Sequence, residues 1–157
     1  MTAAGTGVLA GLREAAAEDA AAVRDLVRAA YARYVPRMGR EPATMLADYA
    51  EAVRRHRLRL LPDADGRLAA VLETVDRGDH LYVENIAVRP DLQGRGIGAA
   101  LLALAEAEAR GLGRPETRLC TNETMVENLA WYARAGYREV RRWPYRGTDV
   151  VDLAKRL

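Results

Sequence analysis

The stretch Leu81–Gly98, reading LYVENIAVRPDLQGRGIG, constrains this chain more than any other. An apolar run ends at Val88 and Pro90 breaks it. Gln93-Gly94-Arg95-Gly96-Ile97-Gly98 then leads into an alanine- and leucine-rich helix. A glycine-rich turn between a strand and a helix bares successive backbone N–H groups. It sets them beside a helix N-terminus that carries a partial charge of about +0.5. Such a junction is suited to an anion, most often a phosphate.

The rest of the chain narrows the setting for that anion. With 157 residues there is enough for one domain, and no linker, repeat or low-complexity segment divides Met1–Leu157. No apolar run approaches the ~20 residues of a membrane span. The N-terminus lacks a charged segment followed by a long apolar one, so no export signal is expected. Basic and acidic residues number 24 and 22, a balance that argues against a nucleic-acid or membrane-surface partner. The single cysteine, Cys120, excludes an internal disulfide and fits a reducing cytoplasm. One cysteine and two histidines, His56 and His80, are too few for a metal site of the usual kind, so no metal is expected.

Periodicity gives the elements in order. Gly11–Ala15 reads as a short strand. Val23, Leu26, Val27, Ala30, Tyr31 and Tyr34 keep helical spacing over Glu18–Tyr34, and Pro36 is expected to end that helix. An irregular connector follows over Arg37–Pro42, then a second helix over Thr44–Arg55. Leu58–Leu61 and Leu68–Thr74 read as strands around a Pro62–Gly66 turn, before the strand that ends at Val88. The helix after the glycine turn stops at Gly111, and Thr117–Thr121 is a strand. Thr124-x-x-Glu127 has capping-box spacing, which starts a further helix at Met125. Arg138–Trp143 and Thr148–Leu153 are the last strands. The order β-α-α-β-β-β-α-β-α-β-β makes this an α+β chain.

Three phosphate-binding patterns compete for the turn. Walker A requires G-x-x-x-x-G-K-[ST], and no lysine lies near. The dinucleotide fingerprint is met in letter by Gly94, Gly96 and Ala99. However, Arg89–Gln93 separate it from its strand, and Glu116 precedes the next strand instead of closing it. The third pattern is Q/R-x-x-G-x-G/A after a strand ending in V-x-P, matched by Gln93, Gly96 and Gly98 with Val88 and Pro90. With it the chain resembles the GNAT superfamily of N-acetyltransferases. Asn128-Leu129-Ala130-Trp131-Tyr132-Ala133-Arg134-Ala135-Gly136-Tyr137 is similar to that family's N…Y-x-x-x-G-[FY] signature.

The resemblance implies a mixed, largely antiparallel sheet of six to seven strands flanked by about four helices. It further implies an acetyl-coenzyme A-dependent transfer of an acetyl group to a primary amine by direct attack in a ternary complex. Gln93, Gly94, Arg95, Gly96, Ile97, Gly98 and Ala99 would carry the pyrophosphate. A splayed strand over Tyr82–Val88 would present the backbone of Ile86, Ala87 and Val88 to the thioester and pantetheine. Tyr132 would serve the leaving thiolate, and Asn128, one helical turn earlier, would contact the coenzyme.

An amine near pKa ~10.4 costs about 4.6 kcal/mol to deprotonate at pH 7. Glu84, on the same strand face as Tyr82, is the expected base, acting through water or by positioning the amine. The first two helices and their connector would wall the acceptor. Tyr31, Tyr34, Arg37, Glu41 and Tyr82 are the substrate-binding candidates, with Arg37 or Arg40 suited to a carboxylate and Glu41 to an amine. The acceptor would be a small-molecule or peptide amine, and pairing of the last strands would make a homodimer. Cys120 is expected to be a buried strand residue rather than a nucleophile. A non-catalytic acyl-coenzyme A-binding module of the same fold stays open as the alternative, and a dinucleotide-binding protein behind it.

Overall fold

A computed structural model describes residues 7–157; the reading of the first residues as lacking an export signal falls partly on residues outside these. Seven strands form one sheet: β1 (Arg13–Glu14), β2 (Arg57–Pro62), β3 (Leu68–Asp76), β4 (Leu81–Val88), β5 (Glu116–Asn122), β6 (Arg138–Tyr145) and β7 (Thr148–Arg156). Their order is β1-β2-β3-β4-β5-β7-β6. Every neighbouring pair is antiparallel except β4 and β5, which run parallel. The fold is therefore the mixed, mostly antiparallel sheet with flanking helices that the resemblance implies.

One face carries helix α1 (Ala20–Tyr31), whose buried stripe Val23, Leu26, Val27 and Ala30 packs with Leu58, Leu60, Val71 and Ala87 of the sheet. Removing a buried leucine side chain of this kind costs about 2–5 kcal/mol. The other face carries α5 (Ile97–Gly111) and α6 (Val126–Arg134). There Leu101, Leu102, Ala105 and Ala109 meet Leu72, Leu81, Val83, Leu119 and Val151, with Tyr132 and Tyr137 at one end. No described helix is long and apolar enough to cross a membrane.

The segment between α1 and β2 departs most from the sequence reading. Pro36 does not end the helical path: Ala32–Tyr34 continues as a 3-10 turn, and Pro36 lies inside a short helix α2 (Val35–Met38). Proline near the start of a helix lacks only an N–H that has no partner there. The stop is Gly39, left-handed at φ 70°, whose N–H reaches the Val35 carbonyl at 2.9 Å. The expected helix over Thr44–Arg55 is two helices, α3 (Ala43–Leu46) and α4 (Tyr49–Arg55). Asp48 splits them because its side chain accepts the Glu51 N–H at 3.1 Å and caps α4.

The Thr124–Glu127 capping box does not form. Asn122 Oδ1 accepts both the Thr124 N–H and the Thr124 hydroxyl, and Glu127 turns to Arg37 instead. The helix starts at Val126 without a side-chain cap.

Candidate functional site

The site is built around β4. Strand β4 bonds β3 along its length, but its parallel register with β5 covers only Leu81↔Thr117 and Tyr82↔Arg118. Beyond Tyr82 the two strands part, and backbone groups of Val83–Val88 on the β5 side have no strand to bond. A wedge-shaped opening results, and two cavities flank it. Tyr31 and Asn128 line both.

A bulge sets the faces of β4. Thr74 pairs with Val83 and Glu73 with Asn85, so Glu84 is the extra residue. Up to Glu84 the alternation holds, with Leu81 and Val83 in the α5-side core and Tyr82 and Glu84 on the opposite face. Asn85 then joins Tyr82 and Glu84 rather than Val83. Its side chain accepts from the Tyr31 hydroxyl at 2.9 Å and donates to the Tyr49 hydroxyl at 3.3 Å. Downstream, Ile86 and Val88 face α5 while Ala87 faces α1. Asn85 is 3% exposed, so its amide locks two tyrosines at the inner end of the opening.

On one side lies the glycine turn. Gly94 and Gly96 have φ of 78° and 84°, a backbone that L side chains rarely adopt, and an added Cβ at either would stand in open space. Gly96 is the N-cap of α5, so the first N–H groups of that helix point outward with no helical partner. Of the residues that the resemblance assigns to the coenzyme, Ile86, Ala87, Val88, Gln93, Gly94, Gly96, Ile97, Gly98 and Ala99 line this cavity; Arg95 is exposed and does not. The Gln93 side chain is tied inward: its amide donates to the Val88 carbonyl at 3.0 Å and its oxygen accepts from Arg33. It therefore fixes the turn to the end of β4. Trp131, Arg33 and Arg134 also line the cavity, and sequence reasoning did not name them as site residues. Trp131 stands 3.6 Å from where a Gly98 Cβ would be, so that glycine gives the ring its place.

On the other side is a cavity of about 360 Å³. Tyr31, Tyr49, Tyr82, Tyr132 and Tyr145 give it aromatic walls, and Glu73 and Glu84 bring carboxylates. Glu84 is exposed and has no hydrogen-bond or ion-pair partner among the described residues. Tyr132 is 9% exposed, its ring held by Trp131 and Tyr137 with centroids 4.7 and 5.7 Å away. Its hydroxyl makes no hydrogen bond among the described residues, and burial pushes its pKa well up. It is a phenol that stays protonated. Tyr31 and Tyr82 are raised in the same way, by burial first.

Cys120 differs from the expectation of a buried residue. It is exposed, on the cavity-facing side of β5, because the strand has parted from β4 at that level. Tyr82 donates a hydrogen bond to its sulfur at 3.1 Å, and the protein mass around the cavity raises the thiol pKa. Its strand partner is Asp152, not a histidine.

Two substrate-binding candidates lie outside both cavities. Arg37 is paired with Glu127 at 2.6 Å and Glu41 with Arg28 at 2.7 Å. Tyr34 is placed in the glycine-turn cavity rather than the aromatic one, its hydroxyl 3.4 Å from Asn128 Oδ1. Tyr31, Tyr82, Glu84, Asn128 and Tyr132 all line the aromatic cavity. The aromatic cavity also takes in His56 and Glu73, hydrogen-bonded at 2.6 Å. Nothing in the local sequence marks that pair.

A family model described as the acetyltransferase (GNAT) family matches residues 20–137. Among curated proteins, the aminoalkylphosphonate N-acetyltransferase of Salmonella typhimurium is 39% identical over 57 residues, which is 36% of this chain and 37% of that protein. The chain thus matches little more than a third of that relative's length. Among solved structures, nourseothricin acetyltransferase is 25% identical with a TM-score of 0.61, over 65% of each chain. The paia N-acetyltransferase of Thermoplasma acidophilum, in complex with coenzyme A, has a TM-score of 0.77 at 16% identity, over 93% of this chain and 98% of that one. That last likeness is one of fold.

Proposed function

Because the chain belongs to the acetyltransferase (GNAT) family, we propose that it is an acetyl-coenzyme A-dependent N-acetyltransferase acting on a primary amine by direct attack in a ternary complex. The observation that carries this reading is the parting of β4 from β5, which joins a glycine cradle to a tyrosine- and carboxylate-lined cavity through Tyr31 and Asn128.

The residues present fit the coenzyme. Left-handed Gly94 and Gly96 leave open the space that side chains would fill, and α5 directs its N-terminal N–H groups into it. Gly94, Gly96, Ile97, Gly98 and Ala99 would hold the pyrophosphate, with Arg33 and Arg134 adding positive charge at the rim. Ile86, Ala87 and Val88 would hold the pantetheine through backbone groups, beside Asn128. When bound, acetyl-coenzyme A supplies an activated acyl carbon.

This chain's own groups do the rest. Tyr132 donates its hydroxyl proton in a hydrogen bond toward the leaving sulfur. Handing that proton over outright from a phenol of raised pKa to a thiolate near ~8.5 is uphill, so Tyr132 acts as a fixed donor. Glu84, without an ion-pair partner among the described residues, holds the incoming ammonium at the mouth of the opening. Tyr82 and Tyr31 wall the approach.

Thiol release from acetyl-coenzyme A across a panel of small amines and peptide N-termini tests the reading. Turnover with initial-rate lines that intersect is expected. Parallel lines would remove direct attack, and tight coenzyme binding without turnover on any amine would favour the acyl-coenzyme A-binding module.

A further inference from the structure

His56 follows the last residue of α4, its N–H on the Ala52 carbonyl at 2.8 Å, and its ring lies at the wall of the aromatic cavity with 27% of the side chain exposed. Its Nδ1 is 2.6 Å from Glu73 Oε1. Glu73 is 4% exposed and sits directly opposite Asn85, the residue after the Glu84 bulge. Two carboxylates from adjacent strands therefore face one cavity. Glu84 is open to it, and Glu73 stands behind an imidazole.

We propose that His56 accepts the proton of the acceptor ammonium through Nε2 and that Glu73 is the positioning residue that fixes the ring for it, an assignment that rests on the acetyltransferase reading of this cavity. With Glu73 accepting from Nδ1–H, the neutral ring has its lone pair on Nε2, the nitrogen left free for the cavity. Imidazole is also better matched to an ammonium than a carboxylate is, since a proton acceptor works best with an ordinary pKa near the working pH. Burial pushes the Glu73 carboxyl up, the His56 hydrogen bond pulls it back, and Glu84 adds to the rise. A buried carboxylate of this kind is held charged by an imidazolium, which is the state the transfer creates.

The charged groups that line the cavity with His56 are Glu73 of β3, Glu84 of β4, Glu51 and Arg55 of α4, Asp48 just before it, and Arg40, with Arg57 next to His56 in the chain. Glu51 is neutralised by Arg54 and Arg55, and Arg57 is paired with Glu14 and Glu108. Among the described residues Glu73 is the carboxylate hydrogen-bonded to His56, and Glu84 and Asp48 line the same cavity without an ion-pair partner. The chain's other histidine, His80, has a similar carboxylate partner in Asp79 at 2.7 Å but lines neither cavity.

The protons balance as follows. The ammonium gives one proton to His56 Nε2, and the freed amine nitrogen forms a C–N bond with the thioester carbon. The tetrahedral adduct then breaks its C–S bond. The second nitrogen proton ends on the coenzyme sulfur, and the proton on His56 leaves to solvent.

The test compares pH profiles of kcat/KM for wild type, His56→Gln, Glu73→Gln and Glu73→Asp, using the best amine from the panel. His56→Gln is expected to lose about a hundredfold in kcat, together with the acid limb of the profile, while KM for acetyl-coenzyme A holds. Glu73→Gln removes the negative partner of the imidazolium, so the basic ring persists to lower pH. Its acid limb should move down with about a tenfold lower plateau, and Glu73→Asp should recover part of both. Wild-type rate and an unchanged acid limb in His56→Gln would overturn the proposal alone. Failure of the wild type on every amine would overturn the acetyltransferase reading with it.

A second measurement needs no turnover. Nitrogen-15 spectra in a His80→Gln background report the tautomer of the remaining imidazole. Proton on Nδ1 in the neutral ring is expected, with loss of that preference in Glu73→Gln, and a proton on Nε2 would overturn the assignment.

Discussion

Arg37 Nη1 and Glu127 Oε2 meet at 2.6 Å, joining α2 to the first turn of α6. The same guanidinium lies 5.5 Å from the centre of the Tyr34 ring, whose hydroxyl reaches Asn128. Arg37 and Tyr34, read from sequence as substrate ligands, thus form a strap that ties α2 and the turn before it to α6.

That strap has a pH signature. The Arg37 hydrogen bond lowers Glu127 from its ordinary 4.5 to about 2, and Asp19 and Asp76 are likewise held at about 2 by Arg13 and Arg114. A depressed carboxyl contributes stability that is fully present above its unfolded value and is lost as pH falls through its folded one. The urea midpoint should therefore be flat from pH 7 to about 5 and fall steadily from about 4.5 toward 2. Arg114→Gln, which frees Asp76, should flatten part of that fall. A wild-type midpoint unchanged down to the lowest pH would contradict the assignment.

The glycines of the turn differ in what they tolerate. Gly96→Ala forces a side chain into φ 84° at a cost of about 1–2 kcal/mol, so coenzyme affinity should drop about tenfold. Gly98 has ordinary φ, and an added methyl would touch Trp131 at a normal 3.6 Å. Gly98→Ala should bind coenzyme within about twofold of wild type. Calorimetric titration with coenzyme A reads both.

Tyr132→Phe keeps the ring packing against Trp131 and Tyr137 and deletes a hydroxyl with no internal partner among the described residues. The thermal midpoint should hold. A donor to a developing anion is worth about 1.5–3 kcal/mol, so kcat should fall about ten- to a hundredfold. Unchanged turnover would take Tyr132 out of the mechanism.

Glu84→Gln should raise KM for the amine about tenfold, the size expected for one charge-assisted hydrogen bond of about 1.5 kcal/mol, and leave KM for acetyl-coenzyme A alone. An effect on the coenzyme only would place Glu84 on the wrong side of the opening.

Cys120→Ala should retain turnover, since among the described residues the thiol is hydrogen-bonded to Tyr82 alone, a phenol and not a base. Its raised pKa makes it slow to alkylate at neutral pH despite its exposure, so iodoacetamide labelling followed by mass spectrometry should accelerate as pH climbs above 8. Rapid labelling at pH 7 would show an activated thiolate instead.

The glycine turn was legible in sequence because it is local: Gln93 to Gly98 are consecutive, and glycine needs no partner to reveal a left-handed turn. Tyr82 and Glu84 were placed on one face correctly, since strand alternation holds up to the bulge. Asn85 was missed because a bulge is set by register with another strand, which no single stretch encodes. His56 and Glu73 are 17 residues apart, joined only when β2 folds back on β3. Asp48-x-x-Glu51 had the same spacing as Thr124-x-x-Glu127, yet only Asp48 caps a helix. The difference lies in competing partners, Asn122 for the threonine and Arg37 for the glutamate. Cys120 looked like core because alternation cannot report that β4 and β5 have parted.

The parting of β4 and β5 has a consequence for how such a protein changes its diet of acceptors. Much of one wall of the aromatic cavity comes from a single continuous stretch, residues 38–52, which stops short of His56, whereas the glycine turn and the end of β4 belong to another. Replacing that stretch would retarget the amine while the acyl donor is gripped as before, so new selectivity can be acquired by local substitution without rebuilding the chemistry.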